Sequence, residues 1–402
     1  MLNTPFSPWP KFTQQEADAV SRVLLSNKVN YWTGEECRQF EREFADWTGS
    51  KYAIALGNGT LALDVALQAL DIGTDDEVIV TPRTFIASIS SIVNAGATPI
   101  FADVDEATGN ITVETITAVL SDKTKGIVCV HLAGWPCDMD SIIALADEHD
   151  LYVIEDCAQA HGARYKGRSV GSIGHVGAWS FCQDKIMTTG GEGGMVTTDS
   201  ELLWRKMWAY KDHGKSYAAV YETEQSPGYN WLHESFGTNW RMTEMQGVLG
   251  RIQLEKMSEW TAKRTTNAQA ILEACSKWES KGYLCVPRLE HLAQFSNANH
   301  AYYKLYVYVQ SDNLPDGWTR DRIIEAINNQ GVPCFSGSAS EVYLEKAFDN
   351  TGLRPEVSLP MAKQLGETSV MFLVHPTLTT AEIEQTVEAI DSVFGSIAKG
   401  ID

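Results

Sequence analysis

Tyr52-Ala53-Ile54-Ala55-Leu56-Gly57-Asn58-Gly59-Thr60-Leu61-Ala62-Leu63 decides the fold of this chain. A five-residue apolar run stops at a glycine and passes at once into a helical pattern over 60–70. Runs of the same kind recur at 77–81, 98–102, 126–130, 151–155, 176–181 and 195–198, with helical stretches between them. Near-continuous apolar runs of this length read as strands of a mostly parallel sheet covered on both faces. The expected fold class is therefore α/β, doubly wound. Ligands in such sheets sit outside the carboxyl ends of the strands, so the residues just after each run are the first candidates for chemistry.

Toward the N-terminus, Thr13 and Glu16 have the spacing of a capping box, with Phe12 in the staple position. Ala17, Val20, Val23 and Leu24 then form a helical apolar stripe. Phe40, Phe44 and Trp47 mark a second helix that Gly49 ends. Beyond about residue 250 the texture changes. Polar-rich helices over 242–260 and after Arg264 lead to an alternating strand at 302–309. Thr379 and Glu382 cap a last helix that carries Ile383, Val387, Ile390 and Phe394 on one face. The expected organisation is a large domain with its N-terminal helices over 1–255 and a smaller α+β domain over 256–402.

With 402 residues, 44% of them hydrophobic, the chain can fill such a core. The formal net charge of −20 argues against nucleic acid or an anionic membrane as partner. An anionic substrate would need a local basic pocket. No run approaches eighteen apolar residues, and residues 1–6 show no basic segment leading into an apolar one, so neither a membrane span nor a secretory leader is expected. The eight cysteines form no C-x-x-C pair and read as thiols of a reducing, cytoplasmic compartment.

Three segments carry chemistry. Gly57-Asn58-Gly59-Thr60 joins a strand to a helix, where free backbone N–H groups and the helix dipole suit a phosphate. The same four residues also suit a plain tight turn with Thr60 as N-cap. Asp156 ends the run before Cys157-Ala158-Gln159-Ala160-His161-Gly162. A carboxylate there is costly without a cation, and a protonated pyridine nitrogen would be one; an Asp capping the next turn is the alternative. Lys185 lies between the run ending Trp179-Ser180-Phe181 and the loop Gly190-Gly191-Glu192-Gly193-Gly194. A lysine in a partly desolvated pocket is a nucleophile toward aldehydes, and the glycines would give a ligand room. A nicotinamide dinucleotide fits less well, because these glycines follow the lysine and lack the G-x-G-x-x-G spacing. No set of His, Cys, Asp and Glu has a metal-ligand spacing, so no metal is expected. Asp138 and Asp140 read as helix-start residues, and His131 and His213 as core histidines.

The order of these pieces resembles the DegT/DnrJ/EryC1/StrS sugar aminotransferases, which are fold-type-I pyridoxal 5'-phosphate enzymes. The likeness runs through GNGTLAL at 57–63, TPRTFIAS at 81–88, EDCAQAHGA at 155–163, SFCQDKIMTTGGEGG at 180–194 and FGTNWRMTEMQ at 236–246. It ends with VPCFSG at 332–337 and HPTLT at 375–379. The resemblance implies that Lys185 carries the cofactor, that Asp156 meets its pyridine nitrogen, and that Gln159 approaches its ring hydroxyl. Phe85 would stack on the ring. Gly59, Thr60 and Ser180 would hold the phosphate, and Asn239 would reach the phosphate of a neighbouring subunit in a homodimer with shared sites. Relatives that act as dehydratases have His at the lysine position, so Lys185 implies amino transfer from an amino acid, L-glutamate, to a sugar. Within the family the texture is closest to enzymes that aminate the C8 aldehyde of an oxidised 3-deoxy-octulosonate for lipopolysaccharide. A nucleotide-linked 3- or 4-keto-6-deoxy sugar and a non-catalytic, pyridoxal-phosphate-binding regulatory homologue stay open. Arg83, two residues before Phe85, could take a substrate carboxylate, and His161 could line the substrate site.

Overall fold

The computed structural model describes residues 5–224 and 227–400; residues 1–4, part of the stretch read for a leader, lie outside the described residues. Helix α1, Gln14–Leu25, starts at the expected capping box of Thr13 and Glu16. Of the expected stripe, Val23 is buried and Val20 packs beside it, while Ala17 and Leu24 are exposed; Glu16 and Ala19 complete the buried face. The Glu16 carboxylate faces inward and accepts a hydrogen bond from Gln253 at 3.1 Å. Helix α2, Glu36–Thr48, buries Phe40 and Phe44 and ends at Gly49, whose φ of 78° is left-handed.

Strand β1, Tyr52–Leu56, leads into α3, Gly59–Ala69. The helix is capped by Asn58, whose side chain accepts from the Leu61 N–H, so Thr60 is inside the helix and is not its cap. The chain continues through β2 (Glu77–Val80), α4 (Ala87–Asn94), β3 (Thr98–Phe101), α5 (Val113–Thr117), β4 (Thr124–Val130), α6 (Met139–Glu148) and β5 (Tyr152–Asp156). A short hairpin, β6 (Arg164–Tyr165) and β7 (Arg168–Ser169), precedes β8 (Val176–Ser180), β9 (Gly194–Thr198) and α7 (Glu201–Tyr210). The seven long strands form one sheet in the order β1-β9-β8-β5-β4-β2-β3. Pairings are parallel from β8 to β3, while β9 runs antiparallel to both β1 and β8. Among these strands, therefore, β1, β2, β3, β4, β5 and β8 all point their carboxyl ends to one edge.

Helix α8, Glu244–Glu279, is 36 residues long. It leads to β10 (Leu284–Cys285), β11 (Leu305–Val309), α9 (Arg320–Asn328), β12 (Cys334–Phe335), α10 (Pro360–Thr368), β13 (Ser369–Phe372) and α11 (Thr380–Lys399). The four short strands make a second, antiparallel sheet ordered β10-β11-β13-β12. The expected boundary at 255/256 falls inside α8. One apolar cluster runs from Ile79 and Ile127 of the large sheet through Leu305 and Phe372 to Ile390 of α11, so the two sheets share a core. The alternating strand expected at 302–309 is shorter at its start: Tyr302 has φ 48°, which a strand cannot continue through.

The end of β5 is held from one side by Glu155, which is fully buried. Its carboxylate meets His131 Nε2 at 2.9 Å and accepts the N–H groups of Gly171 (2.8 Å), Ile173 (2.8 Å) and Gly174 (2.6 Å). His131 Nδ1 accepts from the Cys137 N–H, so its proton is on Nε2, pointing at the carboxylate. Burial pushes the Glu155 carboxyl up, but His131 and the backbone donors outweigh it and hold it below the usual glutamate range. Its folded pKa is depressed, so the stabilisation is present above the unfolded value near 4.5 and is lost as pH falls through the folded value. Glu155→Gln is expected to cost about 1.5–3 kcal/mol in denaturant unfolding at pH 7, with the gap to the parent closing below the unfolded value. A gap that stays constant into the acid range would contradict this role.

Candidate functional site

The carboxyl-end edge of the large sheet opens into a cleft of about 710 Å³, a size that suits a small-molecule ligand. Seven of the residues singled out in the sequence line it: Gly59, Thr60, Phe85, Asp156, Gln159, Ser180 and Lys185. They come from the ends of β1, β2, β5 and β8 and the turns that follow.

At one side, Gly59 and Thr60 head α3. Their N–H groups fall in the first turn, where a helix has no acceptor of its own for them, while Asn58 already occupies the Leu61 N–H. Ser180 lies against this turn. A Cβ on Gly59 would come within 2.5 Å of the Ser180 Cβ, so glycine lets the head of α3 approach the end of β8. Free donors at a helix head beside a hydroxyl form a receptacle for an anion.

Asp156, last residue of β5, is 5% exposed. Its carboxylate accepts from Ser88 Oγ at 2.7 Å and from the Ala158 N–H at 3.1 Å. No ion pair to Asp156 is found among the described residues. Gln159 Oε1 accepts the Ala133 N–H at 2.8 Å, which turns its amide donor toward the cleft. Phe85 is 67% exposed although it sits in a cleft, so its ring offers a free face there.

Lys185 Nζ lies 5.2 Å from the centre of the Tyr303 ring. The Tyr303 hydroxyl donates to Asp184 at 2.5 Å, and burial with the nearby Asp184 charge raises its pKa well above the usual tyrosine value. Desolvation works against the Asp184 charge, but Lys185 and the Tyr303 hydroxyl outweigh it and hold the carboxyl low. A second lysine is close by: burial pushes Lys304 down to about 8 while Asp184 works the other way.

Three expected site residues are elsewhere. Arg83 does not face the cleft. It is 1% exposed, its guanidinium lies 5.4 Å from each of the Tyr306 and Tyr308 ring centres, and its Nη1 donates to the Tyr308 hydroxyl at 2.7 Å. Two aromatic faces from β11 draw it into a separate cavity of about 30 Å³. His161 is fully buried against Trp179 and Phe181, with ring centres at 5.2 and 5.5 Å. Burial and the nearby Lys185 charge lower its pKa to about 3, so it is a neutral ring in an aromatic core. Asn239 is exposed and bridges to Asp212, away from the cleft of its own chain.

The loop glycines also act differently from expectation. Gly190 and Gly191 have φ of 90° and 127°, and a Cβ on Gly194 would meet the Asn58 carbonyl at 2.2 Å. They serve the turn and the approach of β9 to the 58–59 turn, while Glu192 is the loop residue that reaches the cleft. His131, Glu155 and Cys157 lie close enough to hold a metal ion, but His131 and Glu155 are already engaged with each other and with backbone N–H groups in the β5 clamp.

Sequence reasoning missed Ser88, Tyr303 and Ser338, which also line the cleft. Ser88 had a local signal: it lies one helical turn after Thr84, and the two hydroxyls meet at 2.9 Å. Tyr303 had none, because it comes from the second sheet's half of the chain.

An anion receptacle, a buried carboxylate without a cation, an open aromatic face and a lysine around one cleft fit pyridoxal phosphate. Comparison with known proteins agrees. The profile of the DegT/DnrJ/EryC1/StrS aminotransferase family matches residues 10–391. The crystal structure of an aminotransferase from Psychrobacter cryohalolentis is 82% identical, with a TM-score of 0.97, over 98% of this chain and all of that one. GDP-perosamine synthase of Caulobacter vibrioides is 35% identical over 96% of this chain and 97% of its own length. The dTDP-3-amino-3,6-dideoxy-α-D-galactopyranose transaminase of Aneurinibacillus thermoaerophilus is 30% identical over 95% and 96%. The chain belongs to the DegT/DnrJ/EryC1/StrS family of pyridoxal-phosphate-dependent sugar aminotransferases, with the fold-type-I architecture.

Proposed function

We propose that this cleft moves an amino group from an amino acid, L-glutamate, to the carbonyl of a sugar, with Lys185 as the residue that holds the cofactor and moves the proton. The observation that carries the reading is the convergence of Lys185 and the cation-free Asp156 in one cleft. Pyridoxal phosphate supplies an aldehyde to receive the amino group and an electron-withdrawing ring that stabilises charge at the carbon losing its proton.

The chain's own groups do the rest. Gly59 and Thr60 N–H with the Ser180 hydroxyl bind the phosphate. Asp156 keeps a proton on the pyridine nitrogen, and its bonds from Ser88 and Ala158 fix the carboxylate in place. Gln159 donates its amide toward the ring hydroxyl, and Phe85 covers one ring face. Lys185 Nζ, at the rim of the same cleft, would hold the cofactor and would be placed to take up and return the proton of the donor's α-carbon. Tyr303 presents its ring face to Lys185 Nζ at 5.2 Å and so helps to place that side chain in the cleft. With an acceptor bound, the same groups run in reverse order. Asn239 completes the phosphate site of a second subunit, which makes a homodimer the working unit.

For the acceptor, the named relatives support a nucleotide-linked keto sugar: their names are those of enzymes that make a GDP-linked and a dTDP-linked amino sugar. The octulosonate aldehyde rests on sequence texture and on Arg83 as a carboxylate grip, and Arg83 is committed to Tyr306 and Tyr308. A regulatory, non-catalytic chain has no use for both Lys185 and Asp156. The eight cysteines are all free, which supports a reducing, cytoplasmic setting for the proposed reaction.

Lys185→Ala is expected to lower turnover by about 10²–10⁴-fold or more, and a variant keeping a tenth of the parent rate would remove the proton role. When glutamate is offered with a panel of nucleotide keto sugars and the octulosonate aldehyde, mass spectrometry should find the amine on a nucleotide-linked sugar. Amination of the octulosonate alone would reverse the choice of acceptor. Arg83→Ala should leave the order of preference within the panel unchanged; a reordered panel would return Arg83 to the substrate site.

A further inference from the structure

We infer that Trp9 is a positioning residue for Lys185, at the end of an N-terminal strap that ties the second sheet's half of the molecule to the backbone of the cofactor lysine. The inference rests on the role given to Lys185 above. Its substance is a chain of contacts between residues far apart in sequence.

The indole N–H of Trp9 donates to the Lys185 carbonyl at 2.8 Å, across 176 positions of sequence. The Lys185 N–H is taken up by the Cys182 carbonyl at 3.1 Å. Both polar groups of the Lys185 backbone are thus satisfied, one by its own turn and one by the strap. The indole itself has little freedom. Trp260 packs edge-on with ring centres 5.0 Å apart, His375 stacks at 6.0 Å, and the Arg264 guanidinium lies 5.0 Å from the ring centre. Arg264 is 1% exposed, and its Nε and Nη2 find no hydrogen-bond partner, so the indole face is one of the few compensations this buried cation has.

The residues before Trp9 are anchored to the other half of the fold. The Pro8 carbonyl accepts from Thr377 Oγ1 at 2.7 Å, and Thr377 also meets His375 Nδ1 at 2.9 Å. The Ser7 N–H donates to Glu382 in the first turn of α11. Phe6 is buried in the cluster that holds Val374, Leu378 and Ile383. A shift of the segment between β13 and α11 therefore pulls on Trp9, and through it on the peptide that carries the Lys185 side chain. A segment that merely covered the core would need the apolar contacts alone. The directed bond to Lys185 does more: it sets where Nζ points in the cleft.

Trp9→Phe keeps the ring and removes the N–H. Thr377→Val removes one of the strap's anchors in the other half, the bond to the Pro8 carbonyl, and leaves Trp9 intact. Hydrogen–deuterium exchange on the cofactor-free protein should show the peptide over 182–194 exchanging about 5–10-fold faster in Trp9→Phe, with β5 and β8 unchanged, since one hydrogen bond holding a local opening is lost. Thr377→Val should give a smaller increase in the same peptide. In the loaded enzyme, Trp9→Phe should lower kcat by a similar factor and leave the donor KM within twofold. Unchanged exchange at 182–194 in both variants, or a loss spread over the whole molecule in Thr377→Val, would overturn the inference. If the parent protein bound no pyridoxal phosphate, the reading of Lys185 would fall, while the exchange result would still decide whether Trp9 holds that loop.

Discussion

At the end of β5 two adjacent carboxylates face opposite sides of the strand, and the rest of the site depends on how each is compensated. Glu155 points away from the cleft and is fully compensated, by His131 and three backbone donors. It pins the 171–174 turn, and with it the start of β8. Asp156 points into the cleft and is compensated only by a hydroxyl and one N–H. An ionised carboxylate buried with two neutral donors is costly, and a ligand that brings a positive charge relieves that cost. The strand alternation that separates the two side chains is thus what lets one hold the fold while the other waits for a ligand.

Much of this was legible in the sequence for a physical reason. Apolar strand runs, the glycine turn after β1 and the lysine before a glycine loop are local patterns, and Gly59, Asp156, Ser180 and Lys185 all sit at strand ends where the architecture itself dictates ligand binding. Phe85 and Gln159 followed from the family resemblance and also reach the cleft. What failed was orientation. Arg83 is two residues from Phe85, so a sequence reading puts both in the site. The backbone turns Arg83 instead between two tyrosines of β11, more than two hundred positions away. His161 is drawn into the aromatic core by Trp179 and Phe181 in the same way. In α1 the buried face runs through Glu16, Ala19 and Val23, which leaves Leu24 at its edge and exposed.

The non-local contacts have a common pattern. Tyr303 beneath Lys185, Tyr308 on Arg83 and the strap from Phe6 to Trp9 all join the large sheet to elements of the second sheet's half. No local rule of propensity or periodicity anticipates such pairs, since each depends on how the two sheets pack over one shared core. The same packing makes the cleft a joint product of both halves, with the lysine on one and its ring partner on the other.

The central claim is that Lys185, and no other amine near the cleft, carries the cofactor. Lys304 is the natural competitor, because burial brings its pKa down to about 8 close to the same site. Borohydride reduction of the protein loaded with pyridoxal phosphate, followed by peptide mass mapping, tests this directly. The account predicts the reduced cofactor mass on the peptide containing Lys185 and an unmodified peptide containing Lys304. A modified Lys304, or no modified peptide at all, would contradict it.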